Sequence, residues 1–138
     1  MDRALIERKL ELLRSHVARV RARRPQRLEQ LAADADLQDV IVLNLSRAVQ
    51  DCVDIGAHLL VDRPQPSPST MGETFTRLAE AGLIDDDLAQ RLRRAVGFRN
   101  LAVHAYEAID WELVHALCGE PLRDFDDFAL AVVRALDS

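Results

Sequence analysis

At 138 residues, with 49% hydrophobic and 30% charged side chains, the chain is long enough to bury a sizeable core as one domain without covalent staples. Five glycines and five prolines against a background rich in Leu, Ala and Arg favour helix over sheet, and 4% aromatic content excludes a sheet platform for stacking bases. A net charge of −5 argues against a sequence-blind coat for DNA or RNA, leaving room for a local basic patch.

The apolar spacing predicts a first helix from about Asp2 to Arg23. Ile6, Leu10, Leu13, Val17 and Val20 share one face, and Pro25 ends the run. A short turn around Leu28 to Ala33 is weakly signalled. The most apolar segment, about Asp36 to Val61, predicts the central helix. Its stripe of Ile41, Leu45, Ala48, Cys52, Ile55 and Leu59 is widened by Val42, Val49, Val53 and Leu60. Along its edge run Asn44, Arg47, Asp51, Asp54 and His58. Two readings stand for that stripe: an exposed face with Arg47 paired to Asp51 one turn on, or a polar seam lining a cleft or a subunit interface.

A proline-rich loop from Asp62 to Ser69 leads into Thr70-Met71-Gly72-Glu73, which reads as a capping box. The short helix it opens carries Phe75, Leu78 and Ala79 inward and stops at Gly82. Asp85-Asp86-Asp87 caps a fourth helix from Leu88 to about Tyr106, with Leu92, Val96 and Val103 as its core residues. Asp110 caps a fifth, carrying Trp111, Val114 and Leu117, which Gly119 and Pro121 interrupt; the last buries Phe125, Phe128, Val132 and Leu136. No segment alternates as a strand would, and no internal repeat is visible. The expected fold is all-α, an antiparallel helical bundle of five or six helices. Cys52 and Cys118 follow no metal-ligand spacing and read as reduced core thiols. With no signal peptide and no apolar run approaching the roughly 18 residues of a membrane span, the expected location is cytoplasmic.

Chemistry concentrates in Gly97-Phe98-Arg99-Asn100-Leu101-Ala102-Val103-His104-Ala105-Tyr106. Arg99 offers a planar fork of donors suited to phosphate, and His104 can take and give a proton near neutrality. The bland readings are a solvated or salt-bridged arginine and a structural histidine. On an ideal helix the two stand about 140° apart, whereas Arg99 and Tyr106 fall on nearly one face. Two alternatives would bring Arg99 and His104 together. Gly97 could relax the backbone, with Asn100 bonding its own main chain, or two subunits could pair these helices across a two-fold axis. Either way the motif needs a partner surface, for which the polar stripe of the central helix is the nearest candidate. The arginines cluster at Arg91, Arg93, Arg94 and Arg99, which reads as a solvated helix face or as the local basic patch that an acidic ribonuclease would need.

The string G-F-R-N-x-x-V-H-x-Y after a capped helix, with D-I-x-x-H near the end of a long apolar helix, resembles the HepT-type toxins of the HEPN superfamily. The resemblance covers Gln50-Asp51-Cys52-Val53-Asp54-Ile55-Gly56-Ala57-His58, the proline-rich loop, Phe75 with Leu78, Ala81-Gly82-Leu83-Ile84-Asp85, and residues 98 to 106. Up to about Asp34 it extends only to helical character. It implies an endoribonuclease that needs no metal or other cofactor and works on RNA, with tRNA as the substrate class. It also implies a homodimer whose motifs meet at the interface, and a cognate minimal nucleotidyltransferase antitoxin that transfers AMP onto Tyr106. Under that resemblance His104 is the general acid or base, Arg99 holds the scissile phosphate, and Asn100 supports one of them. Asp51 and Asp54 stand as supporting residues; with His58 they share a stripe but make no convincing metal set. Two other readings compete. One is a non-nuclease helical binding module that partners a nucleotidyltransferase. The other is a purely structural motif with Arg99 bridged to Asp51 or Asp54.

Overall fold

The computed structural model describes residues 1–138 as seven α-helices. They are α1 (Arg3–Arg23), α2 (Leu28–Ala32), α3 (Ala35–Leu60), α4 (Met71–Glu80), α5 (Asp86–His104), α6 (Trp111–Leu117) and α7 (Arg123–Asp137). Short 3-10 turns occupy Tyr106–Ala108 and Glu120–Leu122. The count exceeds the expected five or six because the weakly signalled segment after Pro25 closes a real turn as α2. No helix is long and apolar enough to cross a membrane.

The helix starts follow side-chain chemistry. Asp2, Asp34, Asp85 and Asp110 each accept a hydrogen bond from a backbone amide in the first turn of the helix that follows. Each satisfies a donor that has no partner inside its own helix. Thr70 does the same for α4, its hydroxyl accepting from the Glu73 amide at 3.2 Å. The reciprocal half of the expected box is displaced by one residue. Glu73 accepts from the amide and the hydroxyl of Ser69, both at 2.6 Å, because Ser69 offers two donors where Thr70 would offer one. Those bonds hold the Glu73 carboxyl below its ordinary range. At the other end of α4, Gly82 adopts φ +74°. The Leu83 and Gly82 amides then donate to the carbonyls of Leu78 and Ala79 at 2.9 Å, a glycine-closed helix end.

Packing is organised on α3. It runs antiparallel to α1, as the pairs Met1 amine–Asp62, Lys9–Asp54 and His16–Asp51 show in order along the seam. Ile6, Leu10, Leu13, Val17 and Val20 of α1 meet Ile41, Leu45, Ala48, Cys52 and Ile55 of α3 in a core of 34 buried apolar residues. Phe75 of α4 and Phe128 of α7 meet edge to face at 6.0 Å inside that core. Gly56 lets α4 lie close on α3: a Cβ there would stand 2.6 Å from Thr74 Cγ2 and 3.0 Å from Leu78 Cδ1. Cys52 and Cys118 are free, buried thiols, and burial pushes both above the ordinary thiol range, Cys118 to about 11.

Candidate functional site

The motif occupies the C-terminal half of α5, where Phe98 and Ala102 are buried in the core and the residues around them are accessible. Leu92, Val96, Arg99 and Val103 recur at steps of four, three and four, so they form one stripe along the helix. Leu92 and Val96 are buried, Arg99 is partly exposed, and Val103 is 54% exposed. The expected core role of Val103 therefore fails: in this half of α5 the buried positions are Phe98 and Ala102, which lie off that stripe. Helix α5 also passes through Gly97 unbroken, and Gly82 is the only residue with positive φ. A backbone relaxed at Gly97 is thus ruled out as the means of joining Arg99 to His104, which remain on separate sides of one helix.

Both groups are nonetheless available. Arg99 makes no salt bridge, and its one side-chain hydrogen bond goes to Asn100 Oδ1 at 3.3 Å. Asn100 and His104 are exposed. Of the expected arginine cluster, Arg91 is tied to Asp124 at 2.8 Å and to Asp87, and Arg93 donates to the Thr76 hydroxyl at 2.7 Å. Arg94 and Arg99 are the two left without a side-chain acceptor beyond the neighbouring Asn100.

Tyr106 departs from the sequence expectation. The chain turns at Ala105 (φ −149°, ψ 55°), so α5 stops at His104 and Tyr106 opens a 3-10 turn instead of sharing a helix face with Arg99. Its ring sets an edge against Trp111 at 5.9 Å. Its hydroxyl donates to Asp39 Oδ1 on α3 at 2.6 Å. Burial, and then the bond to Asp39, push the phenol up to about 12. Asp39 was invisible in the sequence reading: it lies 67 residues from Tyr106, and only the crossing of α3 with the end of α5 makes them neighbours.

The polar stripe of α3 resolves against α1. Asp51 is buried and shares a 2.6 Å hydrogen bond with His16 Nδ1. Asp54 accepts from Lys9 at 3.2 Å and from Gln50 at 2.9 Å. Arg47 is exposed and makes no bridge to Asp51, so the exposed-face reading gives way to a seam between α1 and α3. The same pairs overturn the structural reading of the motif, because both carboxylates that would have bridged Arg99 are engaged by α1. Within one chain, then, the structure brings Arg99 to Asn100 and Tyr106 to Asp39, and leaves Asp51 and Asp54 on the α1 side. His16, Lys9 and Asp39 are the polar partners that spacing alone did not reveal.

Burial raises the Asp51 carboxyl above its ordinary value, with the hydrogen bond from His16 opposing it. No group of three His, Cys, Asp or Glu side chains is arranged to hold a metal ion. Beside the motif, a groove of about 450 Å³ is lined by Leu45, Val49, Phe98, Leu101, Leu113 and Leu117, with Arg94 also on its wall.

Residues 6–132 match the family described as Ribonuclease HepT-like. A protein of Shewanella oneidensis named mRNA nuclease HepT is 35% identical over 106 residues, covering 77% of this chain and 79% of its own. A tRNA nuclease HepT of Aphanizomenon flos-aquae is 24% identical over 110 residues, covering 80% of this chain and 75% of its own. The tri-AMPylated HEPN toxin of Shewanella oneidensis, solved in complex with an MNT antitoxin, superposes with a TM-score of 0.89 at 29% identity, over 97% of this chain and 99% of that one.

Proposed function

The chain belongs to the HepT-like ribonuclease family, and from that premise we propose that it is the RNA-cleaving toxin of a toxin–antitoxin pair, with Arg99 and His104 as its catalytic residues. The observation that carries this reading is electrostatic. In a chain with 23 acidic side chains against 18 basic ones, Arg99 has no carboxylate partner, and His104 is exposed five residues on. An arginine with an open fork and a solvent-accessible imidazole are the two groups that transesterification of RNA requires.

In the proposed step His104 takes the proton of a ribose 2′-hydroxyl as that oxygen attacks the adjacent phosphorus. The bond from phosphorus to the 5′-oxygen breaks, the His104 imidazolium hands its proton to that oxygen, and a 2′,3′-cyclic phosphate remains. Arg99 holds the non-bridging oxygens and the charge that grows on them, with Asn100 buttressing the guanidinium. Water and metal are not needed for this step, so cleavage proceeds in the presence of a chelator. Because Arg99 and His104 diverge on one unbroken helix, we place the working site at a homodimer interface, where an arginine of one subunit meets a histidine of the other. The exposed Val103 and the apolar groove beside Leu101 support a subunit contact on this side of the bundle. The cognate minimal nucleotidyltransferase silences the site by transferring AMP to Tyr106. The ester would add bulk and negative charge two residues from His104 and compete with RNA phosphate.

For the substrate we propose tRNA, in line with the name of the Aphanizomenon relative; the name of the Shewanella relative, at higher identity, favours mRNA as the second reading. Purified protein incubated with total tRNA and with mRNA in EDTA tests both. Cleavage is expected in wild type and reduced by ~10²-fold or more in Arg99→Ala and His104→Ala. Unchanged rates in both variants would sink the assignment of the site, and no cleavage of any RNA by wild type would favour the binding-module reading.

A further inference from the structure

We propose that Asp39 is the base for the modification of Tyr106: it takes the hydroxyl proton as the phenolic oxygen is joined to the nucleotide, so the acceptor protein supplies part of the catalysis of its own silencing. The inference rests on Tyr106 being the modified residue.

Three features of the structure point to it. The hydroxyl is held from two directions, by the edge contact of its ring with Trp111 at 5.9 Å and by the 2.6 Å hydrogen bond to Asp39 Oδ1. Asp39 itself is exposed and Tyr106 partly so, which leaves the carboxylate able to pass a proton on to solvent. Asp39 is also uncommitted elsewhere. It makes no salt bridge, and the Tyr106 hydroxyl is its only side-chain partner.

The phenol is a poor nucleophile as it stands. Burial and the bond to Asp39 hold its pKa up, at about 12, so the phenolate is a minor species at neutral pH. A base in contact with the hydroxyl removes that handicap, because the proton leaves as the new bond forms instead of beforehand. With a nucleoside triphosphate delivered by the transferase, the Tyr106 oxygen attacks the α-phosphorus and the bond to the bridging oxygen of pyrophosphate breaks. The proton moves to Asp39, and the products are a tyrosyl nucleotide phosphodiester and pyrophosphate. Afterwards the oxygen has no hydrogen to donate, and a phosphodiester charge stands beside the Asp39 carboxylate. The bond that seated Tyr106 on α3 cannot be remade while the nucleotide is attached.

The test uses the full-length chain with its cognate minimal nucleotidyltransferase and ATP, following intact mass over time for wild type, Asp39→Asn, Asp39→Glu and a Tyr106→Phe control. Asparagine still accepts a hydrogen bond but cannot take the proton. Transfer to Asp39→Asn is expected to be slower by about tenfold to a hundredfold in kcat, with KM for the acceptor protein unchanged and Asp39→Glu recovering most of the rate. An Asp39→Asn rate equal to wild type would overturn the proposal. So would a loss confined to KM, which would make Asp39 a docking contact. If wild type gains no adenylate, or Tyr106→Phe gains as much as wild type, the reading of Tyr106 as acceptor falls and this inference with it.

Discussion

Asp51 shows how a single residue can look functional in a sequence and have its energetic role in the fold. Its carboxyl is 7% exposed, burial raises it above the ordinary carboxylate range, and His16 compensates. A carboxyl raised in the folded state contributes most favourably below its unfolded value and costs stability as pH climbs through the folded one. His16→Ala removes the compensation and leaves a buried carboxylate without its partner. A loss of about 1–3 kcal/mol is expected at about pH 7. The loss should shrink in acid, as pH falls below the raised pKa of the carboxyl and it regains its proton. Urea denaturation at neutral and at acid pH decides the point, and equal losses would show that the pair does not carry the cost. At the other extreme of exposure, His104→Ala is expected to change stability little, since the side chain is exposed and makes no hydrogen bond or ion pair within the chain; its loss should be read in RNA cleavage alone.

Among the elements, the α3–α4 contact is the least forgiving. Gly56 faces Thr74, a β-branched residue 2% exposed, so its methyl has no open rotamer to retreat into. Gly56→Ala gains helix propensity of roughly 1 kcal/mol and loses more to the 2.6 Å clash. The expected net change is a destabilisation of about 1–2 kcal/mol, measured as a lower urea midpoint with an unchanged slope; a stabilised variant would refute the close approach. Helix α5 presents the opposite case. Its N-terminal half is anchored by Leu88, Leu92 and Val96 and its C-terminal half by Phe98 and Ala102, while Arg99, Asn100, Val103 and His104 stand between and after these on the accessible sides. The length of α5, set by the Asp85 cap and the turn at Ala105, is what projects the motif outward.

At the scale of the whole molecule, the divergence of Arg99 and His104 makes the assembly testable. If each working site takes an arginine from one subunit and a histidine from the other, Arg99→Ala and His104→Ala are complementary lesions. Mixed dimers reassembled from the two inactive variants would hold one intact site each. Cleavage recovering to about one quarter of wild type is expected when equal amounts exchange at random, since half the dimers are mixed and each carries one site of two. No recovery, with exchange verified by mass, would place both groups of a working site on the same chain. The acidic surface adds a second expectation. With Arg91 and Arg93 internally engaged, only Arg94 and Arg99 of the cluster beside the motif remain free to hold phosphates, so if RNA is held there its affinity should fall only modestly with salt.

Much of this was readable in the order of the residues. The helix starts at Asp2, Asp85 and Asp110 and the stops at Pro25 and Gly82 depend on a side chain and the few residues beside it, as does the helical stripe of α1. Such local causes act wherever the segment ends up. The string around Arg99 and His104 was legible for the same reason, as adjacent residues of distinctive chemistry. What no local rule could supply was which helix each exposed or polar residue would meet. Asp51 turning to His16, Arg91 to Asp124, Tyr106 to Asp39 and Val103 to solvent all follow from how α1, α3, α5 and α7 cross and where the core ends. Those contacts join residues 33 to 67 apart in sequence, and their energies exist only once burial of the apolar stripes has brought the helices together.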